Sequence, residues 1–136
     1  MIMDKNKNLR IWFSTISIIL ILFGILYCLA GLKIFVDTGI FPEDKNVLTD
    51  WESALYGAIM IGWGTTLFLI GNIAFRRKDK ELMKILLYGI IIWIIIEAIS
   101  SFILAVYFNV GVDIVVAALF SYPIVKAIRQ LNKEKH

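Results

Sequence analysis

Apolar residues in this chain come in long unbroken blocks rather than in alternation, with the polar residues gathered between them. The blocks run from about Ile11 to Val36, Trp51 to Phe75, Leu82 to Phe108 and, shorter, Val112 to Ala127. A bilayer core about 30 Å thick takes roughly 20 helical residues to cross. In lipid each backbone amide must be paired within its own segment, so the blocks predict helices and not strands. The connections between them are too short for a folded soluble domain. The expected fold is therefore all-α: a single integral membrane four-helix bundle occupying residues 1–136.

Composition agrees with that reading. Hydrophobic residues make up 60% of the chain and charged residues 18%, against about 45–50% and about 25% in soluble domains. The opening "MIMDKNKNLR" and the run after it have the layout of a secretory signal. The apolar part of a signal spans about 7–15 residues, and this run is far longer. Cys28-Leu29-Ala30 is a poor cleavage site, and Tyr27 before Cys28 argues against a lipoprotein. An uncleaved first helix is expected. Cys28 is the only cysteine, so no internal disulfide can form; a buried, inert thiol is its expected role.

Charge sets the orientation. Lys5, Lys7 and Arg10 precede the first block, and Arg76, Arg77, Lys78, Lys80 and Lys84 lie around the second gap. Lys126, Arg129, Lys133 and Lys135 follow the last block or close it. Of the 14 basic residues only Lys33 and Lys45 fall elsewhere. Lys and Arg near helix ends mark the cytoplasmic face. Both termini and the 76–81 loop are therefore expected inside, with the 37–50 loop and the "FNVGVD" turn outside. The run "FRRKDKE" suits anionic headgroups, and no nucleic-acid partner is expected.

Local signals refine the layout. Thr49 with Glu52 fits a capping box for the second helix. Asp113 reads as an N-terminal cap or dipole partner of the fourth helix. Lys33 and Asp37 are spaced to pair, and Pro123 should kink the last helix. Ser17, Gly24 and Gly31 recur every seven residues, as do Gly57, Gly64 and Gly71. Seven residues make nearly two turns, so each set forms one stripe. Small residues let membrane helices approach closely. The simplest outcome pairs the first two helices as an antiparallel hairpin; contact between subunits is the alternative.

Catalytic signatures are absent. The only histidine is His136, so no His-based triad or His metal cluster is expected. The glycines lie in apolar helices, not in a phosphate-binding loop. No cofactor and no catalytic residue is assigned.

The exception is "WIIIEAISSF", residues 93–102, where Glu97 stands among isoleucines with no basic residue in the ten. A central charge in a membrane costs about 2.5–3.5 kcal/mol on insertion scales, so neutralisation by a proton is the cheaper state unless a ligand or water reaches it. Helical spacing puts Trp93, Glu97, Ser100 or Ser101, Leu104 and Tyr107 broadly on one face. An aromatic ring beside a carboxyl group is a seat for a cationic ligand. A protonated Glu97 bonded to serine or to another helix is the structural alternative, and a partner-protein contact is the third. Lys33 is an imperfect partner, nearer the outer surface by about 12 Å at the backbone. Thr65 and Asn72, also seven apart, are secondary polar candidates that more often bond across helices.

Size and a membrane glutamate also suggest the small multidrug resistance transporters. Their essential glutamate lies in the first helix, however, and Glu97 in the third, so no residue is carried over. Through "ALYGAIMIGWG", Ala54 to Gly64, and its hairpin layout, the chain resembles the DoxX-like and neighbouring uncharacterised four-helix membrane families. That resemblance implies a small integral membrane protein, in some members an accessory to redox or transport systems.

The expected role is a non-enzymatic binding or transport-type module for a small amphipathic or cationic ligand, or lipid, centred on Glu97 in a prokaryotic cytoplasmic membrane. An accessory subunit of a larger membrane complex, reached through the glycine seams, is the alternative. A lipid-modifying enzyme using Asp113 or Glu52 is the third. A homodimer is compatible with each.

Overall fold

A computed structural model of the protein describes residues 5–31 and 50–133. They form four helices: α1 (Lys5–Gly31), α2 (Asp50–Arg77), α3 (Lys80–Ile103) and α4 (Tyr107–Lys133). No strand occurs among the described residues. All four helices are long and apolar enough to cross a membrane. Lys33, Lys45, Asp37 and Thr49 lie outside the described residues, and with them the Lys33–Asp37 pairing and the Thr49 side of the capping box.

The turn between α3 and α4 falls earlier than the apolar blocks suggest. Helix α3 stops at Ile103 rather than Phe108, and α4 begins at Tyr107 rather than Val112. Ala105 adopts a left-handed backbone, φ 60°. The amide of Val106 donates to the carbonyl of Ser101 (2.8 Å), and that of Ala105 to Phe102 (3.1 Å). These are the two bonds of a Schellman stop. Three apolar residues, Leu104 to Val106, thus reverse the chain without any polar or glycine signal. Gly111, which looks like the turn glycine, sits inside α4, and a Cβ there would meet nothing within 4 Å.

The α2–α3 turn uses the same device. Lys78 takes φ 52°, and the amide of Asp79 donates to the carbonyl of Ala74 at 3.0 Å. Asp79 then caps α3, its Oδ1 accepting from the amide of Leu82 at 3.0 Å. That satisfies one of the orphan donors of the first turn.

The chain divides into two compact units: Met1–Ile16 with Leu69–His136, and Ser17–Phe68. In the first unit Phe13 anchors the packing. Its ring lies 5.6 Å from that of Phe75 and 5.4 Å from that of Phe120, the latter edge-on. Gly71 makes room for it, since a Cβ there would overlap the Phe13 ring. Such aromatic pairs contribute about 0.5–1.5 kcal/mol each beyond area burial. Met83, Leu86, Ile90 and Ile94 of α3 are buried at spacings of three and four, as are Phe120, Ile124, Ala127 and Leu131 of α4. Across the cluster Asn72 Nδ2 donates to Ser14 Oγ at 3.0 Å.

In the second unit α1 and α2 approach at backbone distance. A Cβ on Gly24 would lie 2.8 Å from both the Gly57 carbonyl and the Ile61 amide, and one on Gly57 would overlap the Cys28 amide. At Gly64 the neighbour is the Ile21 side chain, 2.8 Å away. Cys28 Sγ, half-buried, donates to the carbonyl of Ala54 at 3.2 Å.

Candidate functional site

Three polar residues of the first unit, Ser101, Asn109 and Asp113, converge beside the α3–α4 turn. The stop at Ile103 ties down the Ser101 carbonyl and leaves its hydroxyl directed at α4. Asn109, in the first turn of α4, donates from its Nδ2 to Ser101 Oγ at 2.9 Å. The same amide reaches Asp113 Oδ2 at a longer 3.4 Å. Ser101 is 9% exposed and Asp113 only 4%. A carboxyl group so enclosed, with one long hydrogen bond recorded to it, is costly to hold as a bare charge.

Register places Glu97 in the same seam. Ser101 pairs with Asn109 near the turn, and at the far end Lys80 Nζ donates to Asn132 Oδ1 at 2.7 Å. Because the two helices run antiparallel between these pairs, one turn back along α3 from Ser101 meets one turn forward along α4 from Asn109. Glu97 therefore lies at about the level of Asp113 along the seam. It also falls between Ile94 and Ser101 on the buried stripe of α3, at spacings of three and four. Glu97 and Trp93 are both half-buried, and both are engaged by neighbouring groups. With α3 ending at Ile103, Glu97 lies about 9 Å from the helix end at 1.5 Å per residue. Counted from the end of the apolar block at Phe108 instead, the same rise gives about 16 Å.

Other sequence candidates separate from this cluster. Ser100 is exposed, and its Oγ donates back to the Ile96 carbonyl of its own helix at 2.8 Å. Tyr107 belongs to α4, not to the face of α3, because the chain has already turned; its exposed ring packs edge-on against Phe102 at 5.7 Å. Leu104 is the cap residue of α3. Asp113 is not a helix cap, since α4 begins at Tyr107 and Asp113 lies in its second turn. Thr65 is exposed, whereas Asn72 bonds across to Ser14. Ser17, Gly24, Gly31, Gly57, Gly64 and Gly71 are all buried. Glu52 is half-buried and engaged.

Asn109 is the residue that sequence reasoning missed. It lies in the stretch "FNVGVD" that reads as an outward turn, and only the earlier stop at Ile103 brings it into α4, one turn before Asp113. Its spacing of eight from Ser101 and four from Asp113 was the available signal. Among the described residues no three His, Cys, Asp or Glu side chains gather as a metal-ion group. Comparison with protein-family models, curated proteins and solved structures finds no match for this chain.

Proposed function

We propose that the protein is a multi-pass membrane protein, both termini cytoplasmic, that binds a small cationic or amphipathic ligand at Glu97, Ser101, Asn109 and Asp113. The observation that carries this reading is Asp113, a nearly enclosed carboxyl group level with Glu97 in the α3–α4 register. Two carboxyl groups in an apolar seam repel when charged and each loses hydration. A cation between them relieves both, and Ser101 and Asn109 supply the neutral hydrogen-bonding groups around it. Trp93, one turn from Glu97, offers a ring face to an organic cation.

Membrane placement is supported by the outward side of α3. Ile85, Ile92, Ile96 and Ile99 are all more than half exposed, although the opposite stripe of that helix is also apolar. A helix apolar on every side belongs in lipid or in a protein core. The cytoplasmic assignment of the termini rests on the basic bias of the sequence. It is tested with single cysteines at Lys78 and Phe108 in a Cys28→Ala background. Membrane-impermeant maleimide on intact cells should label position 108 alone, and labelling of position 78 alone would invert the topology.

Binding is tested by titrating dodecyltrimethylammonium into the purified protein while following tryptophan fluorescence. Saturable quenching lost in both Glu97→Gln and Asp113→Asn is the expected result. Unchanged titrations in both variants would remove these residues from any ligand site. An accessory-subunit role would need a face other than the glycine seam, because Gly24, Gly57 and Gly64 are covered within the chain.

A further inference from the structure

A second cluster of chemistry lies far along the chain from Glu97. Asn6, Lys7 and Arg10 of α1 line a cavity of about 290 Å³ together with Phe75, Arg76 and Lys78 at the end of α2. Four cationic side chains thus share one concavity. Lys7 and Arg10 occupy the first two turns of α1, where the helix dipole is positive and the first amides have no intrahelical acceptor. No acidic residue lies in that first turn. Cations belong at the other end of a helix, so these two raise the positive potential of the cavity instead of offsetting it.

Among the described residues the nearby acids have other partners, and Lys78 is itself engaged by a neighbouring group. Asp79 accepts from the Leu82 amide, and Glu81 pairs with Lys84 at 2.8 Å. A basic loop on the cytoplasmic side follows from the insertion rule. That rule does not require cations from two helices to line one cavity.

Aromatic residues near the cavity in α1 and in α4 have the chemistry of a bilayer's phosphate level. Trp12, one turn along α1, packs its ring 5.5 Å from that of Tyr122. Lys126 Nζ lies 5.0 Å from the centre of the same tyrosine ring, at its hydroxyl edge, and donates to the hydroxyl at 2.6 Å. Tryptophan, tyrosine and a nearby cation form the pattern of a membrane–water boundary. A phosphate ester is the anion available there, and arginine binds it bidentately.

We propose that Lys7, Arg10, Arg76 and Lys78 form a binding site for the phosphate of an anionic headgroup, with Phe75 as its apolar floor. The site is separate from the Glu97–Asp113 cluster and does not depend on a ligand there.

The test uses the full chain, delipidated in neutral detergent and titrated with dioctanoyl phosphatidylglycerol by calorimetry. Arg10→Gln/Arg76→Gln should weaken binding by at least tenfold, at roughly fivefold per charge lost near a headgroup. Arg129→Gln/Lys133→Gln, equal in charge change but outside the cavity, should stay within twofold of wild type. Equal affinity in all three proteins, or equal loss in both variants, would overturn the site and leave only diffuse surface attraction. If Arg10→Gln/Arg76→Gln does not fold by circular dichroism, Lys7→Gln/Lys78→Gln replaces it with the same criteria. Competition by millimolar inorganic phosphate would support a site open to soluble phosphate. No competition, with the variant's loss intact, would support the lipid as its source.

Discussion

The indole Nε1 of Trp12 donates a hydrogen bond of 3.1 Å to the carbonyl of Leu119. Leu119 is four residues before Pro123, which lies buried inside α4. Proline has no amide hydrogen, so the carbonyl four residues earlier loses its intrahelical donor. Trp12 supplies one from α1. Helix α4 continues to Lys133 through the proline, and re-satisfying the freed carbonyl from a neighbouring helix is what makes that tolerable.

Trp12→Phe should therefore destabilise the protein by about 1 kcal/mol through the lost bond. Pro123→Ala restores the amide of residue 123 and returns the Leu119 carbonyl to its own helix. In that background Trp12→Phe should cost less than half as much. A double-mutant cycle on thermal midpoints in detergent measures the coupling. Additive effects would show that the two residues act independently.

Close approach at Gly57 gives a contrast within one helix. Any Cβ there overlaps the Gly24 carbonyl and the Cys28 amide, whereas Gly62 has nothing within 4 Å. Backbone cannot yield as a side-chain end can, so Gly57→Ala should cost about 1–3 kcal/mol. Gly62→Ala should be neutral or slightly stabilising, since alanine is the better helix former. Size-exclusion profiles after graded heating distinguish the two. Equal behaviour would mean that the α1–α2 contact is looser than described.

Ala105 holds a left-handed backbone that costs an L-residue about 1–2 kcal/mol. Ala105→Gly removes that strain but adds freedom to the unfolded chain, worth about 0.5–1 kcal/mol. The net expectation is stabilisation by up to about 1 kcal/mol, seen as a higher thermal midpoint. A lower midpoint would place the turn elsewhere.

That turn also marks where the sequence stopped being readable. The four helices follow from apolar block length, and Pro123 and the glycine stripes carry their meaning locally. Leu104, Ala105 and Val106 do not, because all three are apolar and continue the block on either side. With the turn placed too late, Asn109 and Asp113 looked like loop and cap, and Tyr107 looked like part of the Glu97 face. The Trp12–Leu119 bond was likewise hidden. It depends on which helix packs against the proline, and no local pattern encodes that.

Glu97 itself was legible because it is an acid among isoleucines with no basic residue in residues 93–102. The residue level with it was not, since Asp113 comes to that height only through the antiparallel register of α3 and α4. The central claim rests on that pair.

Native mass spectrometry of the protein released gently from its own membranes tests the claim most directly, with wild type beside Glu97→Gln and Asp113→Asn. A small cationic species bound to wild type and absent from both variants is the predicted result, and its mass identifies the ligand class. Equal occupancy in all three proteins, or no bound species in any, would contradict a ligand site and make the Glu97–Asp113 seam a packing device.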